Sequence, residues 1–134
     1  GSLSNTGRFS ENSPYQPSSP YSASKASSDH FVNAWFKTYD FPSIITNCTN
    51  NYGPRQHEEK LIPTIIRKAL NNQQIPIYGD GLNVREWIHA DDNCENIYNL
   101  MIGGYYGIYH IGTDESYTNL EIIGIIEKIL NIQF

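Results

Sequence analysis

Tyr21 and Lys25 stand four residues apart in the run Pro20-Tyr21-Ser22-Ala23-Ser24-Lys25-Ala26. On a helix that spacing stacks two side chains on one face, with Cβ atoms about 5–6 Å apart. An ammonium at that range stabilises a phenolate and lowers the tyrosine pKa from its ordinary value of about 10. A phenol tuned in this way takes the proton from a substrate hydroxyl while a hydride leaves the same carbon. That is the chemistry of alcohol oxidation by a nicotinamide cofactor. The spacing by itself also describes a surface tyrosine beside a solvated lysine. The surroundings add weight to the chemical reading. Pro20 precedes the tyrosine at a plausible first helical turn, and Ser22, Ala23, Ser24, Ala26, Ser27 and Ser28 are small. Small side chains let a bulky cofactor or a partner helix come close to the backbone.

The elements that must position this pair can be read from periodicity. Residues 1–19 are rich in Ser, Asn, Gly and Pro and read as a loop. A helix is expected over Pro20–Tyr39, with Phe31, Val32, Trp35 and Phe36 as a stripe facing a core, ended by Asp40 and Pro42. Ser43–Cys48 has strand composition, and Thr49–Lys60 reads as a loop around Asn-Asn-Tyr-Gly-Pro. A short helix follows over Leu61–Asn71, with Pro63 in its first turn, where proline is tolerated. Ile75–Tyr78 is expected as a strand closed by Gly79-Asp80-Gly81, and Val84–His89 as an alternating strand. Acidic residues open a helix from Ala90 or Asp91 to Ile102, suiting the helix dipole. After a strand at Gly107–Ile111, the last helix starts at Thr118, with Glu121 completing a capping box. Ile122, Ile123, Ile126, Ile129 and Leu130 give it an apolar face. The order is that of an α/β domain without internal repeats.

Composition narrows the function classes. At 134 residues the chain suffices for one domain with a core and is short for two. A net charge of −5 argues against sequence-independent binding of nucleic acid, which needs a basic face. No apolar run approaches the ~18 residues of a membrane span, so no membrane partner is expected. Cys48 and Cys94 make neither a disulfide framework nor a metal cluster, and read as buried thiols in a reducing, cytoplasmic compartment. His30, His57, His89 and His110 lack ligand spacing, so no metal is expected.

Several motifs in one register carry a resemblance. Phe9-Ser10-Glu11 and Pro17-Ser18-Ser19-Pro20-Tyr21-Ser22-Ala23-Ser24-Lys25 resemble the catalytic helix region of extended short-chain dehydrogenase/reductases. Thr46-Asn47-Cys48-Thr49-Asn50-Asn51-Tyr52-Gly53-Pro54 and Glu59-Lys60-Leu61-Ile62-Pro63 narrow it to the dTDP-glucose 4,6-dehydratases. Pro76-Ile77-Tyr78-Gly79-Asp80-Gly81 and Arg85-Glu86-Trp87 resemble that family's nucleotide-sugar segment. The resemblance runs from about Phe9 to the end. It implies the C-terminal part of a Rossmann-type fold with its substrate-binding subdomain. Residues 1–60 would end the NAD-binding domain, and 61–134 would be mainly the nucleotide-sugar subdomain, interleaved with elements returning to the first.

The activity implied is oxidation of the glucose C4 hydroxyl with NAD, elimination of water across C5 and C6, and return of the hydride to C6. By position, Tyr21 would be the base at C4. Lys25 would hold the phenol's pKa down and bind the nicotinamide ribose, and Asn51 would stand at the nicotinamide end. Asn50, Lys60, Leu61, Pro76, Ile77, Tyr78, Arg85 and Asn119 would meet dTDP-glucose. A guanidinium such as Arg85 grips a pyrophosphate with paired, charge-assisted bonds, and Pro76–Tyr78 offers an aromatic surface for a thymine. Plainer roles exist for each: a surface arginine, a solvated loop lysine, an edge strand, and an Asn119 that bonds its own backbone. The family also forms homodimers through its Tyr-x-x-x-Lys helix.

Departures sharpen these expectations. The family's Thr-Asp-Glu acid–base segment lies shortly upstream of where this chain starts, Gly1-Ser2-Leu3 in what reads as mid-loop, and the glycine-rich NAD turn does not occur in it. The chain is therefore expected to be a fragment holding half an active site, to bind NAD poorly, to turn nothing over alone and to expose apolar surface. Glu86 stands where many members have Asp, and His89 where tyrosine is common. Two other readings stay open. One is a sister enzyme, a UDP-glucuronate decarboxylase or UDP-sugar epimerase, towards which Arg55 leans. The other is a non-catalytic nucleotide-sugar-binding or dimerisation module.

Overall fold

The computed structural model describes residues 10–132. Expectations resting on Gly1–Phe9 and on the last two residues lie outside them. The order is α1 (Pro20–Tyr39), β1 (Ile44–Cys48), β2 (Asn50–Tyr52), α2 (Leu61–Leu70), β3 (Val84–His89), α3 (Ala90–Ile102), β4 (Gly107–Ile111), β5 (Ser116–Thr118) and α4 (Asn119–Leu130). The fold is α/β, and the chain forms two compact units. One takes in the described residues up to Asn47 together with Asn96–Ile111. The other takes in Cys48–Glu95 and the chain from Gly112 onward.

In the first unit, α1 begins where its sequence provides a cap. Ser19 and Ser22 exchange side-chain and backbone bonds in a capping box, and Pro20 fills a first-turn position whose missing N–H costs nothing. Asp40, in the left-handed region at φ 49°, ends it. β1 pairs with β4. Before α1, the Tyr15 hydroxyl donates to Asp29 Oδ2 at 3.0 Å. Burial first, then this bond to Asp29, raises the Tyr15 pKa. The unit buries Ala26, Ile45 and Ile111.

The expected inward stripe of α1 is not buried. Phe31 is 67% exposed and Trp35 55%, with Val32 and Phe36 also exposed. A 3.6-residue period records which flank of a helix is apolar; whether a layer covers that flank depends on other elements. Here Val32 and Phe36 are partly covered, while Phe31 and Trp35 stay more than half exposed.

The second unit builds a sheet in the order β2-β3-β5. β2 runs parallel to β3, with Asn51 opposite Ile88. β5 runs antiparallel to β3, with Arg85 opposite Tyr117 and Glu86 opposite Ser116. Its core is Ile65, fully buried, with Ile122 and Ile126. Leu61, Ile62, Ile75, Trp87, Tyr117, Ile123 and Leu130 pack around them. α4 opens on the expected capping box between Thr118 and Glu121. The Thr118 amide donated to its carboxylate holds the Glu121 pKa below the usual range.

Several local expectations need correction. Ile75–Tyr78 is not a strand; Pro76 has no N–H to give a ladder, which disfavours pairing there. Asn50–Tyr52, read as loop, is β2, and Ser116–Thr118 is β5; both are three-residue strands held by long-range pairing. Both cysteines are exposed. On α3, Asn93, Ile97 and Leu100 carry the burial at helical spacing, and Cys94 falls beside that stripe. Ile129 is 75% exposed, because the buried row of α4 follows Ile122, Ile126 and Leu130 and leaves Ile129 at its edge.

Candidate functional site

The first unit carries the Tyr-Lys pair. Tyr21 and Lys25 lie in the first turns of α1, one turn apart, and both side chains are exposed, Tyr21 at 74%. The neighbouring serines turn their hydroxyls inward to the helix backbone. Ser24 donates to the Tyr21 carbonyl at 2.8 Å and Ser27 to that of Ala23 at 2.9 Å. This satisfies the hydroxyls locally and leaves a low surface around the phenol and the ammonium.

The second unit carries a cleft of about 300 Å³, at the small end of ligand pockets. Its walls come from five places: Asn50 on β2, Leu61 on α2, Pro76 and Tyr78 in the extended run, Arg85 on β3, and Asn119 at the start of α4. Glu59, Thr64, Ile65, Ile75 and Trp87 complete it. Two of the sequence-nominated residues stand elsewhere. Lys60 is the exposed N-cap of α2, its amide donating to the His57 carbonyl at 3.0 Å. Ile77 does not line the cleft; its Cγ2 lies beside Gly81.

The wall geometry follows from local rules. Arg85 and Trp87 are two apart on β3 and so share a face. Leu61, Thr64 and Ile65 follow the i, i+3, i+4 spacing of one flank of α2. Those periodicities could have added Trp87 and Thr64 to the nominated set. Gly81 ties the extended run to α4. It is buried at φ +72°, and a Cβ there would come within 2.8 Å of Leu120 Cγ. Its carbonyl accepts the Leu120 amide at 3.3 Å. Only glycine meets both demands without strain.

Chemically the cleft pairs one guanidinium with two carboxamides and a carboxylate over apolar and aromatic walls. Arg85 Nη1 donates to the Val84 carbonyl at 2.9 Å. Asn51, next to the cleft's Asn50, is half-buried. Its Nδ2 donates to Cys48 Sγ at 3.2 Å and to the Thr49 carbonyl at 3.3 Å. A larger, more open hollow of about 440 Å³ lies between the Gly53–Glu58 loop and α2, near Arg55 and Arg67. None of the nominated residues lines it. Among the described residues no His, Cys, Asp or Glu cluster could hold a metal ion, and no helix is long and apolar enough to cross a membrane.

The chain is similar to proteins of known activity. The dTDP-glucose 4,6-dehydratase of Neisseria gonorrhoeae is 50% identical over 123 residues, covering 91% of this chain and 36% of that protein. The crystal structure of dTDP-glucose 4,6-dehydratase from Bacillus anthracis str. Ames in complex with NAD superimposes with a TM-score of 0.96 at 47% identity, over 99% of this chain and 43% of that one. A dTDP-glucose 4,6-dehydratase from Streptomyces venezuelae, with NAD and TYD bound, gives a TM-score of 0.90 at 48% identity, over 96% and 40%. The fold is therefore that of NAD-dependent extended short-chain dehydrogenases, and the chain spans a little over a third of the curated relatives it matches. The family model described as GDP-mannose 4,6 dehydratase matches residues 1–133, nearly end to end, and to that family the chain belongs.

Proposed function

We propose that this chain is the Tyr-Lys and nucleotide-sugar-binding part of an NAD-dependent dTDP-glucose 4,6-dehydratase. Such a hydro-lyase converts dTDP-glucose to dTDP-4-keto-6-deoxyglucose and water. The observation carrying this reading is the cleft, in which six residues nominated for the sugar nucleotide meet from five separate segments. The first unit is read as the end of the NAD-binding domain and the second as the nucleotide-sugar subdomain.

The donor set of the first unit suits NAD: an exposed phenol and ammonium on one helix face among small residues. NAD, when bound, supplies a hydride acceptor at C4 of the sugar and a donor at C6. Tyr21 would be the base that takes the proton of the C4 hydroxyl at its Oη. Lys25 would bond the cofactor ribose, and Asn51 of the second unit is the residue proposed to meet the nicotinamide. Arg85 grips the pyrophosphate by charge-assisted bonds. Tyr78 packs on the thymine, while Asn50, Leu61 and Asn119 close the cleft around the sugar nucleotide. No residue of this chain is assigned to water elimination. Homodimerisation belongs to the same reading, and the exposed Phe31 and Trp35 on α1 support it.

The test uses the natural polypeptide that carries these residues, supplied with NAD. Wild type is expected to form the 4-keto-6-deoxy sugar from dTDP-glucose and not from UDP-sugars. Tyr21→Phe should cut turnover by about 10²–10⁴-fold while dTDP affinity stays within about twofold. Equal loss of both would remove Tyr21 from its role. Turnover of UDP-sugars alone would favour the sister enzyme, and dTDP binding without turnover the non-catalytic module.

A further inference from the structure

Glu86 faces away from the cleft-lining residues of β3, yet it is tied to the chain that builds the opposite wall. Its Oε1 accepts the Thr113 amide at 2.5 Å and the Asp114 amide at 3.1 Å. Asp114 is in the left-handed region at φ 64°, so two successive N–H groups converge as an anion-binding concavity, filled here by the protein's own carboxylate. Gly112 makes the room: a Cβ there would overlap Glu86 Oε1 and come within 3.0 Å of Thr49 Cγ2. Thr113 Oγ1 adds a second tie, donating to the Trp87 carbonyl at 3.0 Å. From this anchor the chain enters β5, whose Thr118 pairs with Val84 and Tyr117 with Arg85, and then α4 with Asn119 at its start. One carboxylate thus ties the turn that leads into β5 to the strand that carries Arg85.

We infer that Glu86 is a positioning residue for nucleotide-sugar binding, acting through the Gly112–Asp114 turn to hold Asn119 in register with Arg85. The inference rests on the proposed function. Charge-assisted bonds to two amides are stronger than neutral ones, and a small misplacement of a binding group is costly when several groups must engage one ligand. The effect falls on substrate affinity, because Glu86 itself does not line the cleft.

The experiment compares KM, kcat and amide exchange at Thr113 and Asp114 in the natural polypeptide with NAD. Glu86→Ala is expected to raise KM for dTDP-glucose about tenfold with kcat within about twofold, and to speed exchange at both amides. The isosteric Glu86→Gln keeps the shape and should raise KM about threefold. Gly112→Ala evicts the carboxylate and should match Glu86→Ala. In the Glu86→Ala background, where the space is vacant, Gly112→Ala should add less than about twofold. Unchanged KM in Glu86→Gln and Glu86→Ala, or full multiplication of the two single effects, overturns the inference. Failure of wild type to accept dTDP-glucose would instead overturn the functional reading beneath it.

Discussion

The two units of this molecule use their apolar residues in opposite ways. In the second, α2 and α4 close over the β2-β3-β5 sheet and Ile65 loses all contact with solvent. In the first, a helix of twenty residues buries only Ala26, while Phe31, Trp35 and Tyr39 stay open. Both segments show helical periodicity in sequence. The lesson is that the period identifies the face that seeks cover, and the number of elements returning to that face decides whether it is covered.

Breaking the closed unit should have the largest effect. Ile65→Ala removes a fully buried side chain and is expected to cost about 2–5 kcal/mol, measured by denaturant unfolding followed at Trp87. Amide exchange at Ile126 should rise with it. A cost near zero would place the second unit with the first, as a surface and not a core.

The start of α4 offers a smaller test. Thr118→Ala removes the N-cap and should cost about 1 kcal/mol. The Glu121 carboxylate is held below its ordinary pKa by the amide and hydroxyl of Thr118. Its contribution is therefore complete above the ordinary carboxylate range and fades as pH falls through it towards the depressed value. Acid titration of the amide shift at Thr118 should report that fading in wild type, and Glu121→Gln should abolish it. A Thr118 shift that still titrates in Glu121→Gln would assign the effect to another carboxylate.

The open flank should be the least sensitive. Trp35→Gln in the chain as it stands is expected to change stability by no more than about 0.5 kcal/mol, read by thermal unfolding. A loss of several degrees would mean that Trp35 is packed after all.

How much was legible beforehand divides along the same line. Local signals carried well: Pro20 to Asp40, the acidic start of α3, and Thr118 with Glu121 each announce a helix terminus within a few residues. What failed depended on distant partners. β2 and β5 are three residues each and exist because β3 pairs with both. The 75–78 run has the composition of a strand, yet Pro76 offers no amide for a ladder. Residue type alone places the cysteines inside, and both are exposed. For the site, the nominated residues came from motif position. The periods of α2 and β3 could have supplied Thr64 and Trp87, but nothing local revealed that Glu86 reaches Thr113 and Asp114, 27 and 28 residues onward.

In the proposed function, the cleft in the second unit receives the nucleotide of a dTDP-sugar. The most direct test is titration of the isotope-labelled protein with dTDP, followed by backbone amide and indole resonances. Saturable shifts are expected at Asn50, Tyr78, Arg85, Trp87 and Asn119, lost in Arg85→Ala. Shifts confined to the hollow near Arg55 and Arg67, or none at millimolar dTDP, would contradict it.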